Sequence, residues 1–187
     1  MKFRAIVYNS ATLNAPKNIL QFLFGVVIYT SLTGDYNILK IVVAASGLSM
    51  GLGAIYLFND LTDYEEDRKN QMKISWKAIA NGSISVQTAK YLIIILSILG
   101  TLFSFLSGTN FFVIFVAIIA LNLLYSYPAI RLKSHKNSSL IVITLIQILK
   151  FSSGWFLFTN NLEGFPYPFV ISLSVGYALL FLYYKNN

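Results

Sequence analysis

Cysteine is absent from this sequence, which excludes disulfides, thiolate metal sites and thiol nucleophiles. Charge is scarce as well: Asp, Glu, Lys and Arg make up 11% of the residues, against about 25% in soluble domains. A water-soluble single core is thereby excluded. The sequence also lacks internal repeats, low-complexity tracts and any linker rich in Pro, Gly or Ser. Residues 1–187 therefore read as a single membrane domain. Lys2 and Arg4 are followed by a polar stretch, residues 9–18, without a cleavage-type segment, so no removed signal peptide is expected. One histidine occurs, His135, and a lone loop histidine reads as solvated.

What the sequence has is apolar residues, 56% of the total. They gather into six runs, approximately residues 19–32, 41–58, 91–107, 111–127, 140–158 and 169–184. These approach the roughly 17 to 25 residues that a helix needs to cross a hydrocarbon core. The first and last are short, and must extend into polar flanks or sit in a thinned bilayer. The expected fold is all-α, a multi-pass transmembrane bundle of about six helices.

The net charge of +7 follows the loops instead of forming one soluble patch, so no nucleic-acid partner is expected. With the N-terminus inside, Lys2, Arg4, Lys17, Arg68, Lys69, Lys73, Lys77, Lys90, Arg131, Lys133, Lys136 and Lys185 share the cytoplasmic side, and Lys40 stands alone opposite. Lys and Arg in short loops set orientation. Both termini and the long second loop are expected in the cytoplasm.

Five of the seven acidic residues, Asp60, Asp63, Glu65, Glu66 and Asp67, fall within residues 60–67. If the second helix continues through them, a period of 3.6 residues puts Asp60, Asp63 and Asp67 within about 60° on one face, and Glu65 points away. Three like charges repel, and a bound cation removes that cost. Hard oxygen ligands suit Mg²⁺, which commonly joins one or two carboxylates to substrate phosphates. The plainer reading stays open at this point: an ordinary charged loop with Glu65 and Glu66 paired to Arg68, Lys69 and Lys73. A calcium loop of EF-hand type is set aside, because the glycine and terminal glutamate spacing are missing.

The run from Asn59 through Asp60 and Asp63 to Asp67 resembles the NDxxDxxxD signature of the UbiA family of intramembrane prenyltransferases. Two further segments resemble that family's loops in the same order. Residues 77–85, KAIANGSIS, are similar to RPLxxGxIS, and residues 125–133, YSYPAIRLK, to YSxPxxRLK; weaker similarity extends to Ala15, Pro16, Lys17 and Asn18. Departures are Ala15 in place of a frequent Arg, and Lys77-Ala78 in place of Arg-Pro. The family has nine helices and a second Asp-rich motif between the sixth and seventh, whereas only Glu163 follows Asp67 here. The chain is accordingly expected to correspond to the N-terminal two thirds of a UbiA-type fold.

The resemblance implies Mg²⁺-dependent transfer of a polyprenyl group from its diphosphate to an aromatic or other lipophilic acceptor. It implies Asp60, Asp63 and Asp67 as metal ligands, Arg131 and Lys133 acting with them on the diphosphate, and Asn59, Lys77, Tyr125 and Asn18 as substrate-binding residues. Lys150, deep in the fifth run, joins that set on physical grounds, because an intramembrane cation normally faces a wet cavity or the bundle interior; Gln147 and Gly154 share its face. Asn122, Tyr125 and Ser126 form another polar face, for which hydrogen bonding between helices is the common use. The alternative from another class is a nonenzymatic membrane scaffold or lipid-binding subunit derived from the family. A CDP-alcohol phosphatidyltransferase is set aside, since its DGxxDGxxAR start is absent from NDLTDYEED.

Overall fold

The computed structural model describes residues 10–186. Lys2 and Arg4, and the side chains of Lys136 and Lys185, lie outside the described residues. Among the described residues six long helices make the bundle: α1 Ser10–Thr33, α2 Ile38–Thr62, α5 Val86–Leu106, α6 Thr109–Ser126, α7 Lys136–Phe156 and α8 Tyr167–Asn186. Two single-turn helices, α3 Tyr64–Asp67 and α4 Gln71–Ile74, occupy the long connection after α2, and a 3₁₀ turn, Leu132–Ser134, precedes α7. No strand occurs among the described residues.

Four helices, α2, α5, α6 and α7, are long and apolar enough to cross a membrane. The lipid face is plainest on α5, where Ile94, Ile95, Ile98, Leu102 and Phe105 are all exposed. In water that stripe would be a severe liability. In α1 the first half carries Lys17, Asn18 and Gln21, which lowers its hydropathy, while Phe22 and Val26 beyond them are buried in the core. The polar residues of α1 thus sit at one end of the bundle, beside the end of α2.

Two close crossings set the frame. A Cβ on Gly100 of α5 would stand 2.6 Å from the backbone N of Gly51 in α2. A Cβ on Gly25 of α1 would stand 2.9 Å from the backbone N of Trp155 in α7. Only glycine permits such backbone approach, the usual basis of helix association in membranes. Gly154, expected on the polar face of Lys150, serves this crossing: a Cβ there would collide with the Phe22 carbonyl. Phe22 of α1 also meets Phe111 of α6 edge to face, with ring centroids 5.9 Å apart.

The acidic run is not one straight helix. α2 ends at Thr62, and Asp63 sits at φ −96°, ψ 4° before α3 begins. Helical bonds continue on both sides, from Asp63 N–H to the Asn59 carbonyl at 3.0 Å and from Asp67 N–H to the Asp63 carbonyl at 2.8 Å, so the interruption is local to Asp63. Its cause is tertiary packing: Leu61 and Tyr64 lie against Ala78, Ile79, Ile84 and Ala89 of the returning loop and the start of α5. This corrects the continuous-helix expectation; Asp60 and Asp67 nonetheless meet on one ammonium, that of Lys77, at 3.0 and 2.5 Å.

Candidate functional site

A cavity of about 340 Å³ opens at the polar end of the bundle, walled by α1, α2, α6, α7 and α8 and by the loop holding Trp76 and Lys77. Asp60, Asp63, Lys77 and Lys133 stand around its polar part, and Ile143, Ile146 and Phe181 supply apolar wall. Asn59, Tyr125 and Lys150, all expected site residues, line it too. Asn18 is 1% exposed and joins the site through its hydrogen bonds to Tyr56 and Lys150.

The charged groups are cross-linked. Lys133 Nζ lies 2.6 Å from Asp63 Oδ2. Lys77 Nζ is 3.0 Å from Asp60 Oδ1 and 2.5 Å from Asp67 Oδ2. Lys73 Nζ takes the other oxygen of Asp67 at 2.8 Å. Arg131 reaches Glu66 at 2.8 Å, with Asp63 at 3.5 Å. The plainer pairing of Glu65 and Glu66 with Arg68, Lys69 and Lys73 is therefore not what the structure shows: Glu66 meets Arg131, Arg68 donates to the Tyr64 hydroxyl at 2.9 Å, and Glu65 is exposed.

Asp67 is buried completely and stands outside the cavity lining. Burial pushes its carboxyl upward, but the hydrogen bonds and charges of Lys73 and Lys77 outweigh that and hold it below the usual carboxylate range. Burial likewise pulls Lys77 down, while Asp60 and Asp67 together hold it above its ordinary value. The Arg131–Glu66 pair is half exposed, and an ion pair so solvated contributes about 1 kcal/mol at most.

Local backbone places the two phosphate-type cations. Arg131 has φ 41°, ψ 53°, a left-handed conformation that is uncommon without glycine. The turn is held by the Arg131 N–H to the Tyr127 carbonyl at 2.7 Å, and by Ser134 donating to the Arg131 carbonyl through both N–H and hydroxyl. This reverses the chain after Pro128 so that Arg131 and Lys133 face the acidic run. A strained residue holding functional groups is a recurrent use of such conformations.

Deeper in the cavity, Lys150 Nζ donates to Asn18 Oδ1 at 2.9 Å, with the Tyr56 hydroxyl 3.5 Å away. The cavity-lining expectation for Lys150 agrees with this placement. Asn122, Tyr125 and Ser126, expected as an interhelical polar face, also line the cavity. Residues that the sequence did not single out are Asn14, Trp76, Tyr177 and Phe181. Tyr177 accepts from Lys17 Nζ at 2.8 Å across 160 positions of sequence, a pairing that no local pattern announces.

The donor set bears on a hard cation. Asn59 Oδ1 is buried without a hydrogen-bond partner, and its residue shares the cavity wall with Asp60 and Asp63. An orphaned buried amide oxygen beside two carboxylates fits Mg²⁺ by oxygen chemistry. Among the described residues, no three acidic or histidine side chains converge to hold a metal by themselves.

The sequence model of the UbiA prenyltransferase family matches residues 18–186. This chain belongs to that family. No curated protein matches the sequence. A UbiA homolog from Archaeoglobus fulgidus bound to GPP and Mg²⁺ superposes with a TM-score of 0.75 at 18% identity, covering 95% of this chain and 61% of that one. The same homolog bound to DMAPP and Mg²⁺ gives 0.72 at 18% identity, over 87% and 58%. A digeranylgeranylglyceryl phosphate synthase gives 0.76 at 21% identity, over 93% and 58%. These likenesses establish the UbiA-type helical fold, and the chain spans about three fifths of the length of the structures it matches.

Proposed function

We propose that the cavity binds a polyprenyl diphosphate with Mg²⁺ and serves transfer of the prenyl group to a lipophilic acceptor. The carrying observation is the unpartnered Asn59 oxygen beside Asp60 and Asp63, sharing with Lys77 and Lys133 a cavity whose remaining wall mixes Ile143, Ile146 and Phe181 with Asn122, Gln147 and Lys150. Asn59, Asp60 and Asp63 would hold the metal, which when bound neutralises phosphate oxygens and so improves the leaving group. Lys133 and Lys77 would donate to the oxygens the metal leaves free, and Arg131, paired with Glu66 outside the cavity lining, would add positive potential behind them as the C–O bond breaks. Ile143, Ile146 and Phe181 exclude water from the allylic carbon. Tyr125 and Lys150, the latter held by Asn18, line the deeper space, where the acceptor would bond to that carbon and release a proton. By the loop charges, this end of the bundle faces the cytoplasm.

A second reading, a binding subunit without turnover, rests on the single acidic cluster, since Glu163 is the one acidic residue in positions 68–187. Both readings share one test. Detergent-purified protein should retain labelled geranyl diphosphate in Mg²⁺ and release it in EDTA, and inorganic phosphate at the same concentration should not compete. Equal retention in EDTA would sink the metal-diphosphate site.

A further inference from the structure

We infer that Asp67 is a positioning residue for Lys77 and not a ligand of the metal, an inference that rests on the prenyl-diphosphate reading of the cavity. Asp67 follows the interruption at Asp63 and has no exposed surface and no share in the cavity wall. Both of its oxygens are committed, Oδ1 to Lys73 at 2.8 Å and Oδ2 to Lys77 at 2.5 Å. Its own N–H is bonded to the Asp63 carbonyl at 2.8 Å, which fixes the turn. To ligate a metal in the cavity, Asp67 would have to abandon two ammonium groups inside a buried site, and breaking a buried pair is strongly unfavourable.

Lys77 has the complementary placement. Its ammonium reaches the cavity, 11% of its side chain is exposed, and it bridges Asp67 to Asp60 at 3.0 Å. The indole of Trp76 lies 5.5 Å from the same nitrogen. When Asp60 turns to a metal, Lys77 loses one of its two carboxylates and keeps the other. Asp67 thus anchors the lysine at the cavity mouth while freeing a donor for a diphosphate oxygen. Without Asp67, Lys77 would have Asp60 as its remaining carboxylate and would compete with the metal for it. Lys73 plays a lesser part: 44% of its side chain is exposed, and it neutralises the outer oxygen of Asp67.

The test uses Trp76 fluorescence of the detergent-purified 187-residue chain, titrated with geranyl thiolodiphosphate at saturating Mn²⁺, and with Mn²⁺ at saturating analogue. Asp67→Asn should weaken analogue binding by about 10- to 100-fold, the usual cost of losing a group that orients a ligating one, and move the Mn²⁺ midpoint less than about threefold. Lys77→Gln should show the same loss, and Asp67→Asn in that background should add less than about threefold, since coupled residues are not additive. A Mn²⁺ midpoint shifted by Asp67→Asn as far as by Asp63→Asn would make Asp67 a ligand and overturn the inference. Losses that multiply in the double variant would overturn it too. Should Asp67→Asn fail to fold, Lys73→Gln and Lys77→Gln carry the decision: a loss at Lys77 alone supports the assignment, and equal losses oppose it. Wild-type binding indifferent to Mn²⁺ would instead remove the prenyl-diphosphate site, and this inference with it.

Discussion

Asp63→Ala lowers the affinity for a geranyl diphosphate analogue in Mg²⁺ by about 100-fold, equivalent to about 2.7 kcal/mol, and Glu65→Ala leaves it within about twofold. The contrast follows from placement. Asp63 lines the cavity beside the unpartnered Asn59 oxygen, whereas Glu65 is exposed on the far side of the break. Asp60→Ala behaves like Asp63→Ala. A second readout separates a metal ligand from a mere unit of charge. Asp63 holds Lys133 at 2.6 Å, so its removal takes a negative charge from beside that ammonium, and in EDTA the variant should bind the anionic analogue slightly better than wild type. Calorimetric titration with and without Mg²⁺ measures both. Equal losses at Asp60, Asp63 and Glu65 would mean diffuse electrostatics and no defined site.

The 187-residue chain tested by itself binds prenyl diphosphate with Mg²⁺ and does not turn it over repeatedly. These residues hold one acidic cluster, and Glu163, the only acidic residue after Asp67, lines a different cavity with Tyr29, Trp155 and Asn161. Lys77, Lys133 and Arg131 balance the ground-state diphosphate, but the charge that grows as the C–O bond stretches needs more. Loss of even one well-placed electrostatic contact in a dry site costs about 2.7 to 4 kcal/mol, roughly a hundredfold to a thousandfold in rate. Incubation with labelled geranyl diphosphate, Mg²⁺ and aromatic acceptors, following pyrophosphate release and product together, decides the matter. Multiple turnovers would show that Lys150 or an assembled second copy supplies what the acidic cluster lacks.

The helices were legible because apolar runs and loop charges carry the membrane's signature residue by residue. Asp60 and Asp63 stood out because five of the seven acidic residues gather in residues 60–67, whereas Asn59, Arg131 and Lys133 were singled out by the family resemblance. The break at Asp63 was not legible. A single residue leaving helical dihedrals has no periodic trace, and its cause, Leu61 and Tyr64 packing on a loop some twenty residues later, is tertiary. Nor was the pairing of Asp67 with Lys73 and Lys77, because tertiary packing brings that loop back. Deep polar pairings were equally hidden. Gln21 donates to Gln147 Oε1 at 2.6 Å and Lys150 to Asn18 across 132 positions, so a polar residue in an apolar run announces a partner without naming it.

The most direct measurement of the central claim is electron paramagnetic resonance of Mn²⁺ in place of Mg²⁺, with geranyl thiolodiphosphate, on wild type and Asp63→Ala. Wild type should bind Mn²⁺ tightly only when the diphosphate is present and show phosphorus hyperfine coupling on the bound ion, and Asp63→Ala should lose both. Mn²⁺ bound equally well without the diphosphate, or bound with it but without phosphorus coupling, would contradict a site in which Asn59, Asp60 and Asp63 hold a metal against a prenyl diphosphate.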